Sequence, residues 1–309
     1  MSQRPLQFTK MHGIGNDYVY VDAREEGLEN PEVLARAVSD RHRGIGADGL
    51  IIVEPADGAS DWDVRMRMFN ADGSEAQMCG NGIRCVAKFA ADREMVRCSS
   101  VRIATGAGVL EVELLCEGDQ VFGATVDMGP ARIKLGEIPA SIPGLDASER
   151  AIGLSVDLAL FLPHSAAALR AAGVASVFSL VSMGNPHVVL WAERPELLEL
   201  DAVGPQIESH PWFPERINAH FVRVDAPDRV LMRTWERGSG ETLACGTGAS
   251  AVCAAGALEG RTDDSICAQL PGGALDLRFD RSSMHVSMSG PAREVFTGTI
   301  DLNQLEVMQ

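Results

Sequence analysis

The stretch Asn70-Ala-Asp-Gly-Ser-Glu-Ala-Gln-Met-Cys79-Gly-Asn-Gly82 recurs in altered form as Glu236-Arg-Gly-Ser-Gly-Glu-Thr-Leu-Ala-Cys245-Gly-Thr-Gly248. Superposed at the cysteines, an offset of 166 residues (245 − 79 = 166) carries Glu75 onto Glu241, Gly80 onto Gly246 and Gly82 onto Gly248. Apolar residues at helical spacing follow each cysteine: Ile83, Val86, Ala87, Ala90 and Ala91 in the first copy, Ala249, Val252, Cys253, Gly256 and Ala257 in the second. Each cysteine therefore falls where a strand or loop turns into a helix. Such a pair suggests one thiol on each side of a single small substrate.

The repeat extends outward from the cysteines. His12-Gly-Ile-Gly-Asn16-Asp-Tyr-Val-Tyr-Val-Asp22 resembles Ser182-Met-Gly-Asn185-Pro-His187-Val-Val-Leu-Trp191, and Asp48-Gly-Leu-Ile-Ile-Val-Glu54 resembles Asn218-Ala-His-Phe-Val-Arg-Val224. Three blocks in one order at nearly one offset indicate two homologous halves. Each half reads as strand, strand, helix, strand, strand, cysteine helix, then further strands. Pro31 to Arg41 reads as the first helix, with its proline where a missing N–H costs little. Strands dominate, which predicts an α+β fold of two pseudo-symmetric domains, each an antiparallel-rich sheet wrapped around a central helix. Gly129-Pro130 reads as a turn between domains. The expected division is 1–128 plus about 291–309 for the half carrying Cys79, and 129–290 for the half carrying Cys245; the terminal strand near Val295–Leu302 returns to the first. Residues from about Ile133 to Val177 have no counterpart in the first half and read as strands plus a surface helical elaboration.

Composition narrows the function. The 309 residues carry a formal net charge of −16, which argues against a nucleic-acid partner, since phosphate binding needs clustered Lys and Arg. The chain begins without the apolar run of a signal peptide, and no stretch approaches the roughly 20 apolar residues of a membrane span; a cytoplasmic protein is expected. Seven cysteines are an odd number, and none has zinc-like or Cys-x-x-Cys spacing, so neither a metal site nor a disulfide scaffold is expected. Gly13-Ile-Gly15 and Gly44-Ile-Gly46 do not complete a nucleotide loop. Glu75 and Glu241 read as structural, bonding loop N–H groups ahead of their helices. Arg41-His-Arg43 reads as a solvated helix end. Among the histidines only His187 carries a functional reading.

A thiol becomes a useful base only when ionised, and a helix N-terminus is a setting that favours the thiolate. The N–H groups of Gly80-Asn81 and Gly246-Thr247 are placed to bind a substrate carboxylate and the negative charge that develops when an α-proton leaves. One thiolate removing that proton while a second thiol protonates the opposite face inverts the carbon.

Several segments together resemble the diaminopimelate epimerase family: His12-Gly-Ile-Gly-Asn-Asp17, Arg41-His-Arg-Gly-Ile-Gly-Ala-Asp48, Phe69-Asn-Ala-Asp-Gly-Ser-Glu75, Cys79-Gly-Asn-Gly-Ile-Arg-Cys85, Gly184-Asn-Pro-His187, Glu236-Arg-Gly-Ser-Gly-Glu-Thr242 and Ala244-Cys-Gly-Thr-Gly248. The resemblance implies a cofactor-independent two-base epimerase, free of pyridoxal phosphate. It would interconvert LL- and meso-diaminopimelate in lysine and cell-wall precursor synthesis, with the substrate in a cleft between the domains. It implies Cys245 as proton acceptor and Cys79 as donor in the LL-to-meso direction, with His187 and Glu236 tuning the thiols. Asn16, Asn70, Asn185 and Asn218 match the family's substrate-binding asparagines, Gly80, Asn81, Gly246 and Thr247 its backbone donors, and Glu236 and Arg237 its substrate-contacting pair. The implied partner is a small diamino-dicarboxylate, and the implied assembly is a homodimer; Phe296 stands where some members have an interface tyrosine. Gly49 departs from the family, which often has glutamine there. Proline or hydroxyproline racemases lack the Glu-Arg-Gly-x-Gly-Glu-Thr lead-in. A thiol peroxidase would not need symmetric cysteines, and a mere binding protein would not need both thiols.

Overall fold

The computed structural model describes residues 5–24, 28, 30–58 and 60–302. The chain divides into two compact units, one holding the described residues up to Val126 and from Ser289 onward, the other Asp127–Met288.

In the first part of the chain the order is β1 (Leu6–Gly13), β2 (Asn16–Asp22), α1 (Pro31–Ser39), β3 (Gly49–Pro55), β4 (Val64–Asn70), β5 (Glu75–Ala76), α2 (Gly80–Asp92), β6 (Ser100–Thr105), β7 (Gly108–Glu117) and β8 (Gln120–Pro130). After a 3₁₀ turn at Leu135–Glu137 come β9 (Leu154–Ser155), α3 (Leu158–Phe161), α4 (Ala166–Ala171), β10 (Val174–Ser182) and β11 (Pro186–Ala192). Then follow α5 (Leu200–Glu208), β12 (Asn218–Ala226), β13 (Arg229–Glu236), β14 (Gly240–Thr242), α6 (Gly246–Glu259), β15 (Ser265–Leu270), β16 (Gly273–Phe279), β17 (His285–Pro291) and β18 (Arg293–Ile300).

The pairings repeat as well as the order. β2 and β3 are parallel, β3 and β4 antiparallel, and β4 and β6 parallel. In the second unit β11 and β12, β12 and β13, and β13 and β15 pair in those same senses. Parallel joints occur where a helix connects the strands, because a tight turn cannot reverse the chain twice. Within the first unit β18 lies antiparallel against β1, with Leu6 opposite Ile300.

Alternation along the strands explains why they read as unbroken apolar runs. In β3, Leu50 and Ile52 join Leu34 and Val38 of α1 in one core, while Ile51 faces α2, where its Cδ1 would stand 2.9 Å from a Cβ on Gly82. A strand covered on both faces shows no polar alternation. β11 and β12 behave alike. Val188, Leu190, Ala219 and Phe221 belong to a core with Val203 and Ile207 of α5, and His220 lies against Gly248 of α6. The cysteine helices are the inner elements: Gly80–Ala90 of α2 are all buried, as are Gly248–Ala257 of α6.

Three expectations change. α1 stops at Ser39 because Asp40 turns its carboxylate onto the N–H groups of His42 and Arg43, at 2.7 and 2.8 Å. Gly129 and Pro130 finish β8 instead of forming a turn. The segment from Ile133 to Val177 is not a surface elaboration. Leu135, Ile138, Val156, Leu158, Phe161, Leu162 and Leu169 are buried in the second unit's core beside Phe178 and Phe213. Their helices are too short for a period to show in sequence.

Candidate active site

Both cysteines are the N-cap residues of their helices. Cys79 has extended φ and ψ of −139° and 121° and accepts a hydrogen bond from the Gly82 N–H at 3.4 Å; Cys245 has −136° and 103°. The first-turn N–H groups of a helix have no intrahelical acceptor, so Gly80-Asn81 and Gly246-Thr247 supply donors beside each sulfur.

Around Cys79, the thiol donates to Asn16 Oδ1 at 3.3 Å, and Asn16 Nδ2 donates to Asp48 Oδ2 at 2.8 Å. Asp48 is held by Arg41, whose guanidinium bridges Asp17 at 2.8 Å and Asp48 at 3.0 Å. Arg41 is thus an anchor of this loop and not simply a solvated helix end. Asn70 Nδ2 donates to Ser74 Oγ at 3.0 Å. The Asn81 side chain accepts from the guanidinium of Arg84 at 3.0 Å. Arg84 itself is fully buried and also donates to the Gly80 carbonyl at 3.0 Å. Its counterpart in the repeat, Ser250, makes the equivalent bond to the Gly246 carbonyl at 2.9 Å with a neutral hydroxyl.

Around Cys245, the thiol donates to Glu236 Oε2 at 3.1 Å, and Glu236 Oε1 accepts from Thr242 Oγ1 at 2.6 Å. Burial, followed by the adjacent Glu236 carboxylate, pushes the Cys245 thiol well above its ordinary range. The helix dipole alone predicts the opposite; desolvation and a like charge outweigh it here. Thr247 Oγ1 lies 3.7 Å from the sulfur and 3.3 Å from Asn185 Nδ2. His187 is buried, its ring bonded to Asn185 and to His220, and burial holds it far below its ordinary titration range. It is a neutral hydrogen-bonding group. Asn218 accepts from the Arg237 N–H at 2.9 Å and donates to the Pro186 carbonyl at 2.8 Å, so its amide shapes the loop that presents Arg237. Arg237 is exposed, and its guanidinium donates to the Glu215 carbonyl at 2.9 Å.

Glu75 and Glu241 are structural, though their partners are strand arginines and not loop N–H groups: Arg67 Nε bonds Glu75 at 2.9 Å, and Arg233 bonds Glu241 at 2.7 Å. Gly49 is enclosed, since a Cβ there would stand 2.1 Å from the Phe69 carbonyl oxygen. All seven cysteines are free thiols; burial pushes Cys85 up to about 11 and Cys253 up to about 12, as expected of inert core thiols. Sequence reasoning missed Arg84, His220 and Asp48. Only Arg84 carried a signal, as a charge in the first turns of a helix whose neighbouring positions Ile83, Cys85, Val86 and Ala87 are apolar.

Solved structures share this architecture. The PhzF-family phenazine biosynthesis protein of Bacillus anthracis superposes with a TM-score of 0.65 at 17% identity, covering 96% of this chain and 99% of that one. A hydroxyproline epimerase from Agrobacterium vitis gives 0.63 at 15%, covering 99% and 94%. The fold is therefore that of the PhzF and hydroxyproline epimerase proteins, with a cysteine at the head of each inner helix here. The sequence profile of the diaminopimelate epimerase family matches residues 8–134 and 179–295. Curated diaminopimelate epimerases are similar over nearly full length: that of Acetivibrio thermocellus is 44% identical across 97% of this chain and 100% of its own, and that of Desulfovibrio desulfuricans 45% across 95% and 97%. The chain belongs to the diaminopimelate epimerase family.

Proposed function

We propose that this protein is a cofactor-independent epimerase that interconverts LL- and meso-diaminopimelate by proton transfer at one α-carbon, in lysine and cell-wall precursor synthesis. The observation that carries this reading, beyond family membership, is the paired placement of Cys79 and Cys245 as N-caps, each thiol hydrogen-bonded to an acceptor.

In the LL-to-meso direction Cys245 first passes its thiol proton to Glu236, the acceptor already 3.1 Å away. The resulting thiolate takes the α-proton, and the Cys79 thiol delivers its own proton to the opposite face. First-turn N–H groups of Gly80, Asn81, Gly246 and Thr247 hold the substrate carboxylates and the charge that develops in the transition state. Asn16, Asn70, Asn185 and Asn218 complete the amide lining, each able both to donate and to accept, and Arg237 adds a charge-assisted bond to the distal carboxylate. His187 acts on the thiols through hydrogen bonds, being neutral.

The same reading places the enzyme in the cytoplasm as a homodimer. No helix among the described residues is long and apolar enough to cross a membrane. Val295 and Phe296 of β18 leave 56% and 47% of their surface exposed, an apolar pair that a second copy would cover.

A coupled assay with LL-diaminopimelate, using L-proline as the control, tests the proposal. Turnover of LL-diaminopimelate with one solvent deuterium at the inverted carbon is expected; turnover of proline alone would overturn it.

A further inference from the structure

A row of buried polar side chains runs behind Asn185 across three neighbouring strands. Asn185 Oδ1 is 2.8 Å from His187 Nε2, His187 Nδ1 is 2.9 Å from His220 Nε2, and His220 Nδ1 is 3.0 Å from Thr234 Oγ1. His187 and His220 are 0% exposed and Thr234 1%. In front, Asn185 Nδ2 is 3.3 Å from Thr247 Oγ1, and that hydroxyl is 3.7 Å from Cys245 Sγ.

Such a row must run in one direction from end to end, because a neutral imidazole has one N–H and one lone pair. Thr234 decides which. Its side-chain partner among the described residues is His220 alone, and a buried O–H left without an acceptor costs about 1–3 kcal/mol. The Thr234 hydroxyl therefore donates to His220 Nδ1, so His220 carries its proton on Nε2 and gives it to His187 Nδ1. His187 then donates from Nε2 to Asn185 Oδ1, and Asn185 Nδ2 donates to Thr247 Oγ1. The Thr247 hydroxyl has its own proton left for the Cys245 sulfur. Burial keeps both imidazoles neutral, with His220 pushed down to about 3. The His220 ring is also fixed in place: a Cβ on Gly248, in the first turn of α6, would stand 2.2 Å from its Cε1, so the helix rests directly on the ring.

We propose that Thr234 and His220 are positioning residues that set the polarity of a hydrogen-bond chain through His187, Asn185 and Thr247, whose last member presents a hydroxyl donor to the Cys245 thiolate. The chain also holds the Asn185 amide in one orientation. The sulfur end of this inference rests on the epimerase reading; the orientation of the chain rests on geometry alone. Without the Thr234 hydroxyl the row is free to reverse, Thr247 then donates to Asn185 Oδ1, and the thiolate loses its donor.

The test uses the full-length enzyme with ¹⁵N-labelled histidine. NMR at pH 7 is expected to show His187 and His220 both neutral with the proton on Nε2. Thr234→Val, close in shape but without the hydroxyl, should convert these rings wholly or partly to the Nδ1–H form. It should also lower kcat by roughly tenfold, the worth of one hydrogen bond to a charged group, with KM changed little. Thr234→Ser should restore both. An Nδ1–H proton on either ring of the wild type overturns the proposal, as does a folded Thr234→Val with wild-type spectra and kcat. If Thr234→Val does not fold, the wild-type spectrum decides. A wild type that fails to turn over diaminopimelate sinks the epimerase reading, and the chain's direction is then judged by the spectra.

Discussion

The Cys245 sulfur lies 3.1 Å from the Glu236 carboxylate, whereas the Cys79 thiol donates to the neutral Asn16 amide at 3.3 Å. The duplicated halves are thus unequal at the point where they matter. Glu236 accepts the hydrogen bond of the Cys245 thiol and, while charged, opposes its ionisation. Because the folded-state titration is raised above the ordinary 9.0, the folded protein favours the neutral thiol. The stability that this contributes is fully present below pH 9 and is lost as pH rises beyond it. Glu236→Gln removes the second cause of the shift and leaves burial, so the pH-dependent loss of stability, which starts near pH 9 in both proteins, should level off at a lower pH in the variant. Denaturant unfolding over a series of alkaline pH values measures this. The same variant should lower kcat at least tenfold, because the proton acceptor is gone.

Cys79→Ala and Cys245→Ala should each abolish epimerisation while the far-UV circular dichroism stays native. Cys79→Ala also loses the cap bond from Gly82, so its stability should fall by about 1 kcal/mol. Substantial turnover in either variant would end the two-thiol scheme.

Gly248 and Gly82 occupy equivalent places in the two inner helices but meet different neighbours. A methyl on Gly248 meets the His220 ring at 2.2 Å, whereas one on Gly82 meets the flexible ends of Ile51 and Met66 at 2.9 and 3.2 Å. Gly248→Ala should therefore cost about 1–3 kcal/mol, and Gly82→Ala distinctly less. Thermal unfolding of the two variants side by side would show equal losses if the ring were free to move.

Glu208 of α5 holds the loop that carries Glu236 and Arg237. Its carboxylate accepts from Trp235 Nε1 at 2.7 Å and from the Gly238 N–H at 3.0 Å, and pairs with Arg216 at 3.4 Å. Glu208→Ala should destabilise the protein by about 1–3 kcal/mol and raise KM for diaminopimelate several-fold, since two donors lose their acceptor and Arg237 its support. An unchanged KM would show that the loop holds its shape without Glu208.

Much of this molecule was legible because it is written twice. The recurrence of glycine, cysteine and apolar spacing located both inner helices and both N-caps, since helix starts and burial periods are local properties of the chain. The strands flanking them were legible for the same reason. The segment from Ile133 to Val177 was not. Its apolar residues enter the core from short turns and single helical coils, where no period accumulates.

What the sequence by itself determined was the duplicated α+β plan, the cysteine at the head of each inner helix and the family to which the chain belongs. Only the tertiary structure decided what stands beside each thiol. His220 reads in sequence as one polar residue within an apolar strand, and becomes a partner of His187 only when β11 and β12 align in register. Arg84 reads as a charge on a helix and proves to be buried beneath the first turn of α2. The physical reason is the same in both cases: periodicity specifies which face a side chain occupies, while the identity of its neighbours depends on pairing between segments distant along the chain.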